Sequence, residues 1–268
     1  MFSPVTTALD RGPFWVVLTA LAAGLLLYGR DLSVLWRLFL VAVLGAVVGY
    51  AFYNRQESAS TWVSVSVVVG VLAWFRFRRV RWVVLLVLVV LFVAGGLTQS
   101  IWEYAGGDEE WEGSGGSRLA LIERVVEVTM RNPITGLGPA SYRAYAAMKP
   151  LAYRHIFWVT AAVNSHNNYV DLFAHTGLVG LGLFLWMMAE LGALALRLRS
   201  VVRPGFLSAF VHAMLATWAS SLVLMLFADW LLPHVYNIGF PGFQAAIPVW
   251  LFLGGLVAVD RITSREAL

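Results

Sequence analysis

The chain has 268 residues, 60% of them hydrophobic and only 13% charged, with no cysteine and a formal net charge of +4. Soluble domains carry about half apolar and a quarter charged residues, so this composition excludes a soluble globular protein and predicts an all-α, polytopic transmembrane helix bundle. The absence of cysteine excludes a disulfide framework and a thiolate metal site, and no His-x-x-x-His metal motif is present. The arginines lie in short connections between apolar runs, where they report membrane orientation and not a nucleic-acid partner.

A bilayer core takes roughly 20 apolar residues per helix. About seven runs of that order follow one another, near residues 13–29, 37–53, 61–75, 82–98, 167–196, 206–230 and 241–259. The first lacks the basic start and small-residue cleavage site of a secretory signal and reads as a retained span. Ala22, Ala23 and Gly24 in the first run, and Gly45, Ala46 and Gly49 in the second, read as devices for close helix approach. Arg30 and Arg37, then Arg76, Arg78, Arg79 and Arg81, then Arg197, Arg199 and Arg203, then Arg261 and Arg265 fall on alternate connections, which predicts that those face the cytoplasm. The N-terminus, the 54–60 turn, the 98–165 segment and the 229–240 loop then face outward. The expected division is 1–97 as N-terminal spans, 98–165 as a large, partly helical periplasmic loop region and 166–268 as C-terminal spans.

Within the outer segment, residues 105–117 are rich in glycine and acid and predict a mobile loop. Ser117 is the expected N-cap of a helix over 118–131, with Leu119, Ile122, Val125 and Val126 at helical spacing, ended by Asn132-Pro133. The turn Ile134-Thr135-Gly136-Leu137-Gly138-Pro139 follows, whose glycines let backbone amides approach a ligand or a neighbouring helix. Tyr142, Arg143, Tyr145, Tyr153, Arg154 and Trp158 then make an aromatic and basic stretch suited to a membrane surface.

The next span opens with His166-Asn167-Asn168-Tyr169-Val170-Asp171-Leu172. Asn167, Asp171 and His175 recur every four residues and share a face, so Asp171 and His175 either pair inside the bundle or Asp171 tunes the protonation of the site. His212 reads as a packed, hydrogen-bonded core histidine. Asp229, Trp230, His234 and Tyr236 either line a site or are ordinary loop residues.

Arg118 opening a helix, the turn Pro133-Ile134-Thr135-Gly136-Leu137-Gly138-Pro139, and His166-Asn167 opening another helix that continues through Thr176-Gly177-Leu178-Val179-Gly180 together resemble the C-terminal region of the O-antigen ligase and O-antigen polymerase superfamily. The resemblance covers roughly residues 35–260, and relatives have further spans ahead of it. It implies a bacterial inner-membrane enzyme that moves a glycan from an undecaprenyl diphosphate carrier to a hydroxyl acceptor, the lipid A core or a growing polysaccharide, at the periplasmic face without metal or other cofactor. Under it, His166 serves as base or acceptor-orienting group and Arg118 grips the diphosphate, because guanidinium offers phosphate oxygens a permanently charged planar fork. Asn167, Asp171 and the Gly136 and Gly138 turn are the further substrate-binding candidates. Many relatives place a Ser-Arg pair in the outer turn between the second and third spans, where this chain has Ala59, and Arg55 one helical turn earlier is the candidate replacement. The competing expectation is a non-catalytic membrane subunit or transporter that binds carrier-linked glycan.

Overall fold

Each predicted apolar run becomes helix in the computed structural model, which describes residues 12–53, 59–79, 81–94, 96–139, 141–148, 151–153, 156–158, 165–232 and 239–266. The order is α1 Gly12–Tyr28, α2 Val34–Tyr53, α3 Ala59–Arg76, α4 Arg81–Val93, α5 Gly96–Tyr104, α6 Gly107–Glu110, α7 Gly116–Thr129, α8 Tyr142–Met148, α9 Asn168–Val201, α10 Phe206–Phe227 and α11 Phe240–Glu266. Between α8 and α9 a short antiparallel hairpin pairs β1, Leu151–Tyr153, with β2, Ile156–Trp158. The protein is all-α and multi-pass, but among the described residues four helices are long and apolar enough to cross a membrane, α2, α9, α10 and α11, against seven runs expected. A fifth is reached if α4 and α5, bent by 80° at their junction, count as one broken or re-entrant span, and α1 and Ser60–Arg76 are apolar but shorter.

The core is the packing of α1, α3 and α10, with α9 alongside α10. Lipid tails are as apolar as leucine, so helices associate in a membrane through close backbone approach and interhelical hydrogen bonds, each worth about 0.6 kcal/mol. Gly24 supplies the first, because a Cβ there would lie 2.9 Å from Ala209 O and from the Ala213 methyl. Gly45 and Gly49 do not, since both face open space, so the small residues of the second run are not a packing seam. Ser220 Oγ donates to Ser64 O at 2.8 Å and Tyr28 Oη to Leu72 O at 3.1 Å. His212 is the packed histidine expected: its Nδ1 lies 2.7 Å from Ser208 O and its ring stacks on Tyr28 at 3.8 Å.

Residues 105–117 are helical turns and not the loop their composition predicts. Gly106 and Gly107, at φ 109° and 61°, turn the chain out of α5 into α6 and a π-helical turn, Trp111–Gly115. The Trp111 ring lies over Gly115, where a Cβ would come within 2.7 Å of it. This turn runs directly into α7, so Ser117 is a buried first-turn residue and Gly115 occupies the cap position. Helix α7 ends at Thr129, ahead of Asn132-Pro133.

Two ends of the bundle gather different chemistry. Arg199 lies over the Phe75 ring at 4.3 Å and Arg197 pairs with Asp260 at 3.1 Å, which joins the arginine-bearing ends of α3, α9 and α11. The opposite ends of α9 and α10 carry His166 and Asp229.

Candidate functional site

Helix α9 begins in a tightly determined corner. Asn167, in extended conformation, caps it through Oδ1, which accepts from Tyr169 N at 3.0 Å and Val170 N at 3.2 Å. Its Nδ2 donates to Leu226 O at 3.3 Å and so ties the cap to the end of α10. One turn into the helix, the Asp171 carboxylate is buried, and its Oδ1 accepts from Ser165 N at 3.1 Å and Ser165 Oγ at 2.7 Å. An acid in the first turn is also favoured by the helix dipole.

Held between Ser165 and Asn167, His166 adopts φ 53°, the one left-handed non-glycine among the described residues. A side chain in that region costs about 1–3 kcal/mol and persists where its surroundings over-determine it. Here the carboxylate of Asp171 and the cap of Asn167 fix both flanks. The result aims the imidazole at Asp229, with Nδ1 3.5 Å from Oδ2. The histidine side chain is 37% exposed and the aspartate 3%.

Asp229 is positioned by a residue that the motif reading passed over. Asn168 is fully buried, and its Oδ1 accepts from Leu231 N at 3.1 Å and Leu232 N at 3.3 Å, which clamps the loop after α10 onto the start of α9. Trp250 Nε1 donates to Leu231 O at 2.8 Å from the other side. The Asn-Asn pair is visible in the sequence, but nothing in the spacing marks its second member as buried or points it at a loop 63 residues away.

The glycine turn meets helix α9 where that helix breaks. Gly177, at φ 65° and ψ −165°, interrupts α9, and the two half-helices exchange hydrogen bonds with the turn. Leu137 N and Gly138 N donate to Ala174 O and His175 O at 2.8 and 3.1 Å, while Pro133 O and Ile134 O accept from Leu178 N and Val179 N at 2.8 and 3.2 Å. The loose carbonyls of the first half and the loose amides of the second are thereby satisfied. Gly136 N donates to Asn132 O at 3.0 Å. Of the two uses expected for these glycines, close approach to a neighbouring helix is what the geometry displays. The 24 residues from 178 to 201 extend about 36 Å, enough for a bilayer core by themselves, which lifts the first half-helix with Asp171 and His175 towards the interface.

Arg118 stands exposed in the first turn of α7, which packs on the first half of α9 through Leu121, Val125, Val128, Tyr142 and Ala174. Its charge reaches His166. Burial first, and the Arg118 guanidinium second, push the His166 pKa down to about 4. Asp229 faces the ring at 3.5 Å, an ion-pair distance once the imidazole is protonated, while burial and Arg118 favour the neutral form. Tyr142, behind Asp171, has its pKa raised by burial, with Arg124 opposing and Asp171 adding. It shares a cavity of about 160 Å³ with Arg124, Glu127, Arg131 and Tyr145.

Arg55, His234 and Tyr236 lie outside the described residues. Among the described residues no three His, Asp or Glu side chains are grouped to hold a metal ion.

A broken helix spliced to a glycine turn, with a capped histidine at its mouth and a basic residue acting on that histidine, defines a polar site built at one end of a multi-pass membrane bundle. Residues 55–185, which contain Arg118, the turn, His166 and the helix break, match the family model described as O-antigen ligase. A search of curated proteins finds no match. The family carries glycan transfer of the ligase or polymerase type, from a lipid-linked glycan to a polysaccharide acceptor.

Proposed function

We propose that the protein transfers a glycan from an undecaprenyl diphosphate carrier to a hydroxyl of lipid A core or of a growing polysaccharide, at the periplasmic face of a bacterial inner membrane and without a metal. The observation that carries this reading is the convergence of Asp229, His166 and the Arg118 charge at the opening of α9. With the ring proton on Nδ1 towards Asp229, Nε2 takes the proton of the acceptor hydroxyl as its oxygen attacks the anomeric carbon. The bond from that carbon to the diphosphate oxygen breaks, and Arg118 stabilises the departing charge.

In this reading Asp171, Asn167, Gly136 and Gly138 act through others. Asp171 and Asn167 fix the backbone either side of His166, and the glycine turn holds the half-helix that carries them. The cavity beside Tyr142 offers tyrosine rings and charged groups of the kind that hold sugar.

Purified protein given undecaprenyl-diphosphate glycan together with lipid A core, or with additional repeat units, tests the reaction and identifies the acceptor. Transfer to one of them that disappears in His166→Ala and Arg118→Ala supports the reading. Binding of the carrier-linked glycan with no transfer to either acceptor would favour a non-catalytic carrier-binding subunit.

A further inference from the structure

At the opposite end of the bundle, the ends of α1 and α3 and the starts of α2 and α10 enclose a cavity of about 560 Å³. Arg30, Arg37, Arg76 and Arg78 line it, with Tyr28 and Ser208. Among the described residues none of these four arginines forms an ion pair with a carboxylate, although Asp31 is next to Arg30 in sequence. Arg37 Nε donates to Leu32 O at 3.3 Å, which sets its side chain beside the start of α2. The N-terminus of α10, where Gly205 supplies no side-chain cap, adds the partial positive charge of a 22-residue helix. Four exposed arginines lining one concavity attract phosphate oxygens, which guanidinium groups can grip in pairs.

The flank of the cavity says which phosphate. Trp36 and Phe39, flanking Arg37 in sequence, are 58% and 55% exposed, and Val34, Leu35 and Leu38 are exposed as well, so the start of α2 presents apolar side chains outward beside the arginines. A free anion has no use for that surface, whereas acyl chains do.

We propose that this cavity binds the headgroup of an anionic phospholipid from the leaflet at the arginine-bearing end, its phosphodiester among Arg30, Arg37, Arg76 and Arg78 and its chains along α2. Basic pockets between membrane helices bind such headgroups, and the arginine distribution assigns this end to the cytoplasmic side. The site is separate from His166 and Asp229, at the other end of the helices that carry them, so the proposal does not depend on the transfer chemistry.

Native mass spectrometry of the delipidated full chain, with phosphatidylglycerol or phosphatidylcholine added back, tests it. Phosphatidylglycerol is expected to be retained preferentially, and Arg30→Gln/Arg76→Gln/Arg78→Gln to lose that retention by at least about tenfold. Arg261→Gln/Arg265→Gln, which removes exposed charge from the end of α11, is expected to leave it unchanged. Should the triple variant fail to fold, Arg78→Gln alone, at an exposed position after α3, is expected to weaken retention about threefold. Equal retention of the two lipids, equal loss in the α11 control, or full displacement of phosphatidylglycerol by an equal concentration of inorganic phosphate would overturn the proposal. The last result would identify a free-anion site.

Discussion

The carboxylate of Asp229 lies 3.5 Å from Nδ1 of His166, joining two residues from the C-terminal end of α10 and the mouth of α9. A buried carboxylate behind an imidazole fixes its tautomer and orientation and stabilises the imidazolium that forms when the ring takes a proton. Asp229→Asn should therefore keep the fold and lower glycan transfer, with the loss in kcat and not in KM for the carrier. His166→Ala should lose about 10²–10⁴-fold, the span of general acid–base catalysis. The double variant should be hardly worse than His166→Ala, because the two act as a unit. Transfer assays on purified variants check all three, and additive losses would show that Asp229 does not work through the histidine.

The depressed pKa of His166 gives the pH dependence a definite sign. Its neutral form is the one the fold favours, so its contribution to stability is fully present above the ordinary histidine value of about 6.5 and is lost as pH falls towards about 4. Transfer should accordingly hold level from neutral pH to about 5 and decline as the ring protonates near 4. Arg118→Gln removes one of the two depressing causes, so the His166 pKa should rise. The pH dependence of modification by diethylpyrocarbonate reads this without needing activity, and an unchanged curve would place Arg118 too far away to act on the ring.

Much of this was legible in the sequence because it is local. Apolar runs became helices, Asn132-Pro133 followed the end of α7, and Asn167 at a helix mouth is the capping residue its type predicts. Composition misread residues 105–117, since glycines that usually make loops here serve as turns between helical pieces and as floor for the Trp111 ring. The Asp229 to His166 contact was illegible for another reason. It depends on how α9 and α11 hold a loop, through Asn168 and Trp250, and no local pattern encodes that. Gly177 follows His175 and Thr176 in a stretch that reads as one continuous helix, and its break is visible only once the turn beside it is in place.

The glycines form a graded series. A Cβ on Gly136 would lie 2.5 Å from Gly177 N, and one on Gly177 2.3 Å from Ile134 O, with backbone on both sides and positive φ at both. Each alanine variant should lose about 3 kcal/mol or more, the range of strain added to an overpacked contact. Gly138 also has positive φ, but its nearest neighbour is the Ser141 hydroxyl at 3.2 Å, so Gly138→Ala should cost about 1 kcal/mol. Gly45→Ala and Gly49→Ala, in open helix, should be neutral or stabilising by up to about 1 kcal/mol. Thermal unfolding of the purified variants orders them, and a mild Gly136→Ala would mean the splice between turn and helix break is not rigid.

Asn168 separates positioning from mere stability. Its Oδ1 is the acceptor that the structure gives Leu231 N and Leu232 N, both in a buried stretch, and removing it leaves two amides unsatisfied at about 1–3 kcal/mol each. Asp229 is two residues ahead of Leu231, so a loop released there carries its carboxylate away from His166. Asn168→Ala should thus lower both the unfolding temperature and the transfer rate per folded molecule, the latter as a kcat loss like that of Asp229→Asn. A variant that yields less folded protein but keeps full activity per molecule would confine Asn168 to stability and leave some other contact to hold Asp229 on the histidine.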